Sequence, residues 1–283
     1  MAIIEIRNLS FTYLGQSTPA LRNVNLRIEA GELVLVSGPS GGGKSTLCRC
    51  INGLIPHFYE GTLEGEVLVD GLLTSTTPTY TLSQHVGMVF QNPQNQLFSL
   101  DVESDIAFAL ENLGLPREEI SSRVDEVMRV MNIRELADRS PLELSGGQQQ
   151  KVALASVLAL RPKVIMLDEP TSFLDPVSSQ HLINVVDSLR ERLGLTIIIV
   201  EHRVDLIAPR ASRLVVVHGG EVAYDGHPKG FFENYDAHLY GVTVPKLARL
   251  SQELAKRVPK WPGVILDVEG LERIVRMLAS HRV

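Results

Sequence analysis

Hydrophobic and polar residues alternate in several short runs near the start of the chain. Runs at 3–6 and 24–28, joined by a turn that contains Gly15 and Pro19, predict an antiparallel sheet. A further alternating run, within 61–71, predicts a strand that ends in a turn. Alternation puts every second side chain on one face, so each run predicts a strand with one buried face.

Uninterrupted apolar runs predict a second group of strands, which are buried. These runs lie at 33–37, 86–90, 164–169 and 196–200. A hairpin with a Gly-Gly turn is predicted at 214–223, where it would close the main domain.

Helical periodicity follows the first buried run, over 44–52, and dominates 101–160, which predicts a helical insert. The tail from about 231 is also predicted to be helical. One apolar stripe of the tail consists of Leu247, Leu250, Leu254 and Val258, and another of Leu271, Ile274, Val275 and Leu278. With Pro228 and Gly230 as boundary signals, we expect a domain at 1–230, with a helical subdomain at about 92–160, and an extension at 231–283.

Composition excludes several classes of function. The 283 residues are 44% hydrophobic and 21% charged, and no apolar run approaches the length of a membrane span, so a soluble chain is expected. A net charge of −6 without a basic cluster argues against general binding of nucleic acid or anionic lipid. The N-terminus lacks a secretion signal, so the cytosol is the expected compartment. Cys48 and Cys50 are expected to be reduced helix residues.

The sequence GPSGGGKST, residues 38–46, carries the strongest chemical signal. It fits G-x-x-x-x-G-K-[ST] and lies between a predicted strand and a predicted helix, where successive backbone N–H groups and a helix N-terminus hold phosphates. Lys44 is expected to reach the β- and γ-phosphates, and Ser45 to ligate Mg²⁺. The candidate phosphate-binding residues are Gly38, Ser40, Gly41, Gly42, Gly43, Lys44, Ser45 and Thr46. A glycine-rich turn that binds nothing is the alternative.

Two adjacent carboxylates end the apolar run at 164–169. Burying acids at the end of a strand is costly unless a cation or a reaction uses them. Asp168 is therefore a candidate partner of Mg²⁺, and Glu169 a candidate to orient or deprotonate a water molecule. A salt-bridged surface acid is the alternative for Glu169.

Three further signals are weaker when each is considered alone. Tyr13 could stack on a purine or simply belong to the core. LSGGQ, residues 144–148, precedes a helix and is either a second phosphate site or a helix cap. His202 follows a buried run, and a histidine in that position is usually structural.

In combination these motifs resemble the nucleotide-binding subunits of ATP-binding cassette (ABC) transporters over about the first 230 residues. The order is GPSGGGKST, Gln91, LSGGQ, VIMLDE, SFLD at 172–175 and His202. The resemblance implies an α/β fold with a P-loop NTPase core, an antiparallel β subdomain and a helical subdomain. It also implies two copies that clamp ATP between them.

The resemblance assigns roles to individual residues. It implies that Tyr13 stacks on adenine and that Gln91 senses Mg²⁺ and a membrane partner. It implies that Ser145, Gly146, Gly147 and Gln148 bind the γ-phosphate held by the opposite subunit. His202 would contact that phosphate, Glu169, His202 and Lys44 would form the catalytic set, and Asp175 would lie at the dimer seam.

Two segments are similar to the ATPase subunits of energy-coupling factor transporters, which import vitamins and metal ions. They are the region 90–116 and the C-terminal sequence at 240–254, which looks like a small helical dimerisation domain. This implies a second ATPase subunit, either identical or closely related, a transmembrane coupling subunit and a substrate-binding membrane subunit. The chain would then lie at the cytoplasmic face of the membrane as a peripheral subunit. The transported solute is not encoded here, because a separate subunit binds it.

Other functions remain open at this point. The chain could serve another ABC importer, act as a soluble cassette ATPase on DNA or ribosomes, or be a regulatory module with little turnover. The absence of basic patches disfavours a nucleic-acid partner, and the presence of Glu169 and His202 disfavours a module without turnover. Gly42, Phe173 and Ser156 depart from common residues of the family but leave the phosphate ligands intact.

Overall fold

The computed structural model describes residues 2–258 and 261–280, without the side chains of Ala279 and Ser280. Its strands are β1 Ala2–Tyr13, β2 Leu21–Glu29, β3 Leu33–Ser37, β4 Gly61–Val69, β5 Leu72–Leu73, β6 Val86–Val89, β7 Val164–Asp168, β8 Thr196–Val200, β9 Arg213–His218 and β10 Glu221–Gly226. Its α-helices are α1 Lys44–Ile51, α2 Leu54–His57, α3 Thr79–Leu82, α4 Val102–Asn112, α5 Arg117–Met131, α6 Gly146–Ala159, α7 Pro176–Leu193, α8 Val204–Ile207, α9 Pro228–Asn234, α10 Lys246–Ala255 and α11 Val268–Ser280.

The alternating runs form an antiparallel sheet in the order β2-β1-β4-β5, as predicted. The buried face of this sheet packs on the same apolar cluster as α1 and one face of the larger sheet. Ile4 and Ile6 of β1 point into that cluster, whereas the side chain of Arg7 is exposed. The alternation along β1 therefore reflects one packed face and one solvated face.

The uninterrupted apolar runs and the predicted hairpin together form the larger sheet, in the order β10-β9-β3-β8-β7-β6. Strands β6, β7, β8, β3 and β9 are parallel, and β10 is antiparallel to β9. Every residue of β3 and β8 is buried, since both faces of a parallel sheet are covered, and this explains the lack of alternation. The carboxyl ends of β3, β7 and β8 meet at one edge of the sheet. The segment GPSGGGKST, residues 38–46, which we call the phosphate loop, begins there.

Helices α4, α5 and α6 lie between β6 and β7 and pack on one another, as the helical period at 101–160 predicts. The predicted strand at 86–90 is one residue too long, because β6 ends at Val89 and Phe90 is partly exposed. Residues 93–95 form a short 3₁₀ turn within the loop that leaves the sheet.

The segment after residue 230 packs against the larger sheet through a cluster of aromatic side chains. Phe231 and Phe232 are buried in the same core as β3, and Tyr240 meets the ring of His218 edge-on. Helix α10 ends at Ala255, so Val258, which the apolar stripe assigns to this helix, lies beyond its end. The predicted extension also includes 259–260 and 281–283, which lie outside the described residues.

Within the described ranges, none of the helices combines the length and the apolar character that crossing a membrane would require. The boundary near residue 230 and the limits of the helical subdomain remain predictions.

Candidate functional site

Glycine is required in the loop that connects β3 to α1. Gly38 has a φ of 136°, and a Cβ atom there would lie 2.1 Å from the carbonyl oxygen of Val217. Gly43, with a φ of 110°, immediately precedes α1, and its Cβ would lie 2.7 Å from the carbonyl oxygen of Ala20. Positive φ values and these close approaches exclude a side chain at both positions. Gly42 is similarly constrained, since its Cβ would lie 2.8 Å from the oxygen of Val217.

Lys44 begins α1 and places its ammonium group inside the loop. Its side chain is largely buried, and the residue is only 5% exposed. The Nζ atom donates to the carbonyl oxygens of Gly38 at 2.9 Å and Pro39 at 2.8 Å. Burial lowers the pKa of Lys44, while Glu169 and Asp168 oppose that shift through their negative charge. The loop therefore contains a cation whose partners are neutral carbonyls, an arrangement suited to receiving an anion.

Asp168, at the end of β7, and Ser45, in the first turn of α1, meet beneath the loop. Burial raises the pKa of Asp168, the charge of Glu169 raises it further, and a hydrogen bond from Ser45 opposes both effects. A carboxylate and a hydroxyl oxygen are ligands that Mg²⁺ accepts. A cation would also relieve the cost of burying the Asp168 charge, so this donor set fits the ion that the motif implies.

Glu169 follows Asp168 with a φ of 47°, a left-handed conformation that is uncommon outside glycine. Three side chains surround its carboxylate. Gln91 Nε2 donates to Oε2 at 2.8 Å, Ser172 Oγ donates to the same oxygen at 3.0 Å, and His202 Nε2 lies 3.3 Å from Oε1. The fold thus brings together Gln91, Glu169 and His202, which are far apart in the sequence. Glu169 faces the phosphate-loop cavity.

Tyr13 lines the same cavity from the end of β1. Its hydroxyl lies 3.1 Å from Thr46 Oγ1 and accepts a hydrogen bond from Arg49 Nη1 at 2.9 Å. The Arg49 guanidinium also lies 4.5 Å from the ring centroid of Tyr59, a cation–π distance. Sequence reasoning missed Arg49, although it lies four positions after Ser45 on α1 and therefore on the same helical face.

The cavity encloses about 470 Å³, which is adequate for a nucleotide-sized ligand. Its lining includes many of the residues predicted to bind the nucleotide or to act in catalysis. They are Tyr13, Ser40, Gly41, Gly43, Lys44, Ser45, Thr46, Glu169 and His202.

The LSGGQ segment, residues 144–148, which we call the signature, lies away from this cavity. Ser145 is the N-cap of α6: its Oγ accepts from the N–H of Gln148 at 3.4 Å, and Gln148 Oε1 accepts from the N–H of Ser145 at 3.0 Å. Within the described residues, the cavity lining contains none of Ser145, Gly146, Gly147 and Gln148. Gly146 instead lines a separate groove together with Gln91. One chain therefore does not bring its own signature to its phosphate loop.

Comparisons with known proteins address the family directly. A family model described as "ABC transporter" matches residues 21–172, which is more than half of the chain. A putative ABC transporter ATP-binding protein of Pyrococcus abyssi is 44% identical over 279 residues, covering 98% of this chain and 100% of that protein. The energy-coupling factor transporter ATP-binding protein EcfA1 of Ligilactobacillus salivarius is 43% identical over 270 residues, covering 95% of this chain and 94% of that protein.

Solved structures show the same fold. The chain matches cbiO1 of Clostridium perfringens, described as part of the ABC transporter complex cbiONQ, with a TM-score of 0.76, 32% identity and coverage of 92% of this chain and 96% of that chain. It also matches the ATP-binding cassette MJ0796, a dimer in a post-hydrolysis state bound to ADP and Pi, with a TM-score of 0.69, 32% identity and coverage of 81% and 100%. The predicted α/β P-loop fold is confirmed, and the chain belongs to the ABC transporter family as an ATP-binding subunit with the fold of an ABC-type ATPase.

Proposed function

We propose that this chain hydrolyses ATP to drive an uptake transporter of the energy-coupling factor type. The observation that carries the ATPase mechanism is the position of Glu169, which faces the phosphate-loop cavity with Gln91 and His202 at its carboxylate. The transporter type is supported by the similarity to EcfA1, which extends over 95% of the chain, and by the likeness to cbiO1.

In the proposed site, Lys44 and the backbone N–H groups of the phosphate loop bind the β- and γ-phosphates, and Tyr13 stacks on adenine. Ser45, Asp168 and Gln91 would hold Mg²⁺, which would supply neutralisation of phosphate charge. The remaining loop residues, Gly38, Ser40, Gly41, Gly42, Gly43 and Thr46, shape the phosphate cradle.

Glu169 is the proposed general base. Its Oε2 atom already accepts hydrogen bonds from Gln91 and Ser172, so Oε1, on the side of His202, is the oxygen available to a water molecule. Glu169 would orient this water and accept its proton, while His202 contacts the γ-phosphate. Proton transfer to a positioned carboxylate lowers the barrier to attack on phosphorus without changing how the phosphates are bound.

A second ATPase subunit completes the proposed site. Ser145, Gly146, Gly147 and Gln148 are remote from the phosphate loop of their own chain, and they stand at the exposed N-terminus of α6. A helix N-terminus favours an anion, so the same residues of a second copy would bind the γ-phosphate across the dimer seam. Asp175, the exposed N-cap of α7, would lie at that seam.

Membrane subunits would dock beside the loop that follows Gln91. Phe98 is 65% exposed and meets Phe108 edge-on, with ring centroids 4.6 Å apart, and Leu100 nearby is 90% exposed. Exposed apolar residues grouped in this way are typical of a protein interface. The proposed partners are a transmembrane coupling subunit and a substrate-binding membrane subunit, with this chain at the cytoplasmic face.

The test is to purify the tagged full chain from detergent-solubilised membranes of its source and identify the proteins that accompany it. We expect a coupling subunit together with a small substrate-binding membrane protein. A Phe98→Ser variant, purified in the same way, tests the docking surface: it should lose both partners while it retains ATP binding. Recovery with permeases of another importer class would contradict the energy-coupling factor type but not the ATPase, whereas recovery with DNA or ribosomes would contradict a transport role.

A further inference from the structure

Glu201 is a buried carboxylate that the mechanism above does not use. It directly follows β8, is 1% exposed, and precedes His202, whose side chain reaches the phosphate-loop cavity. An ionised carboxylate is costly to bury without hydrogen-bond donors or a cation, so its surroundings require an explanation.

Four donors surround the carboxylate, two on each oxygen. Oε1 accepts from the backbone N–H of Thr171 at 3.2 Å and from the Thr171 hydroxyl. Oε2 accepts from the backbone N–H of His202 at 2.8 Å and of Arg203 at 3.0 Å. Hydrogen bonds to an ionised acceptor are stronger than bonds between neutral groups, so these four bonds hold the charge in place.

The donors come from two different loops. Thr171 belongs to the loop after β7, which also contains Glu169 and Ser172, whereas His202 and Arg203 belong to the loop after β8. The carboxylate of Glu201 therefore connects the loop of the proposed base with the loop of the proposed phosphate contact.

The backbone of Glu201 ties the same point to the strand that leads into the phosphate loop. Its N–H donates to the carbonyl oxygen of Val36 at 3.1 Å, and its carbonyl oxygen accepts from Ser37 Oγ at 3.0 Å. Arg203 adds a second link between the two loops, since its Nη1 donates to Ser179 Oγ at 3.2 Å and to the carbonyl oxygen of Thr171 at 3.4 Å.

We propose that Glu201 is a positioning residue that fixes His202 relative to the loop carrying Glu169. Its carboxylate holds the backbone of His202 from one side and Thr171 from the other, so a shift of the loop after β7 is transmitted to the imidazole. This role rests on the proposed function, because it requires that His202 and Glu169 act on ATP. Gln cannot substitute, because in either orientation its NH₂ group would face at least one backbone N–H that now donates to the carboxylate.

The test compares steady-state ATPase kinetics of full-length Glu201→Gln, His202→Ala and the double variant. Glu201→Gln should lower kcat by about tenfold or more and leave KM for ATP within about threefold, because small displacements of a reacting group slow catalysis without removing the phosphate ligands. In the His202→Ala background the same substitution should change kcat by less than about twofold, because the imidazole that Glu201 positions is already missing. Asp70→Asn is the matched control: Asp70 is a mostly buried carboxylate that bonds His85 and Lys163, both at 2.7 Å, and kcat should stay at the wild-type value.

Thr171→Val, which removes only the hydroxyl donor to Oε1, provides a second variant if Glu201→Gln does not fold. It should lower kcat by about threefold or more, again without a matching change in KM.

Two results would overturn the positioning role. One is a folded Glu201→Gln variant with wild-type kcat; the other is a double variant whose fold-decrease in kcat equals the product of the two single decreases. If Glu169→Gln abolishes turnover while Glu201→Gln keeps the wild-type kcat, the ATPase site stands and the positioning role fails. If Glu169→Gln itself keeps full turnover, both the site assignment and the positioning role are overturned.

Discussion

The Nζ atom of Lys44 donates a hydrogen bond to the carbonyl oxygen of Gly38 at 2.9 Å, so the first and the penultimate fixed residues of the phosphate motif are directly connected. This contact keeps the loop folded around the ammonium group. Because carbonyl oxygens are weaker partners for a cation than phosphate oxygens, ATP can replace them.

Lys44→Ala should therefore weaken ATP binding by about 10- to 100-fold, the range expected for loss of a hydrogen bond between charged groups. Titration with a fluorescent ATP analogue measures this change. Lys163→Ala is the control, because Lys163 is exposed and pairs with Asp70 away from the cavity. Equal affinities in wild type and Lys44→Ala would contradict the phosphate-loop assignment.

Glu169→Gln should bind ATP normally and hydrolyse it about 10²- to 10⁴-fold more slowly, the usual contribution of a general base. The amide keeps the size of the carboxylate but accepts no proton, so an ATP-bound dimer should accumulate. Turnover and size-exclusion chromatography with ATP measure both effects. Glu191→Gln, which alters an exposed acid of α7, should behave as wild type. Undiminished turnover in Glu169→Gln would assign the base to another residue.

Mixing two inactive variants tests whether the signature acts across a dimer. A Ser145→Ala chain paired with a Lys44→Ala chain would contain one site with both changes and one site with neither, so mixing should restore part of the activity. Ser145 also caps α6, and loss of a cap costs about 0.5–2 kcal/mol, so the unfolding of each variant is measured first. If mixed dimers form and remain inactive, a composite site with independent halves is wrong.

Leu97 and Phe98 should respond differently to substitution, although both are apolar and adjacent. The loop at 92–98, after β6, is predicted to transmit a change at Gln91 to a membrane partner; the alternative is a plain surface connection in which Leu97 and Phe98 cap the local core. Leu97 is 6% exposed and belongs to the core of the helical segment, whereas Phe98 is 65% exposed. Leu97→Ala should lower the free energy of unfolding by about 2–5 kcal/mol, as measured by denaturant titration. Phe98→Ser should lower the free energy of unfolding by no more than about 1.5 kcal/mol, through loss of the edge-on contact with Phe108, and should abolish recovery of membrane partners. Transport with a normal complex in Phe98→Ser would contradict the docking role.

Because Asp105 is buried, we expect its contribution to the free energy of unfolding to depend on pH. Its carboxylate accepts from the N–H groups of Phe98 at 3.2 Å and Ser99 at 3.1 Å, but burial dominates and raises its pKa above 3.8. The folded state therefore binds more protons than the unfolded state between 3.8 and the raised value, so this group's contribution to stability falls as pH rises through that interval.

Asp105→Asn retains an acceptor for both N–H groups and removes the titration. Relative to wild type, this variant should become more stable as pH increases from about 4 to 7. Urea denaturation at both pH values measures the difference. A stability difference that is the same at both values would show that Asp105 does not carry the dependence.

Much of the fold was predictable because its signals are local. The phosphate loop follows from glycines at positions whose backbone excludes Cβ atoms, and the buried runs at β3 and β8 follow from strands covered on both faces. Ser145 at the N-terminus of α6 was recognisable for the same reason, since a cap and its partner Gln148 are three residues apart.

Contacts between distant segments required the tertiary structure. Gln91 and Glu169 are 78 residues apart, and they meet only because β6 and β7 are neighbours in the sheet. The burial of Leu97 beside an exposed Phe98 depends on how a loop packs on the helical segment, which no period in the sequence describes. Glu201, likewise, resembles an ordinary acid until strand order places Thr171 against it. Neighbouring residues in the sequence determine the local backbone conformation, whereas contact between two loops depends on which strands pair in the sheet.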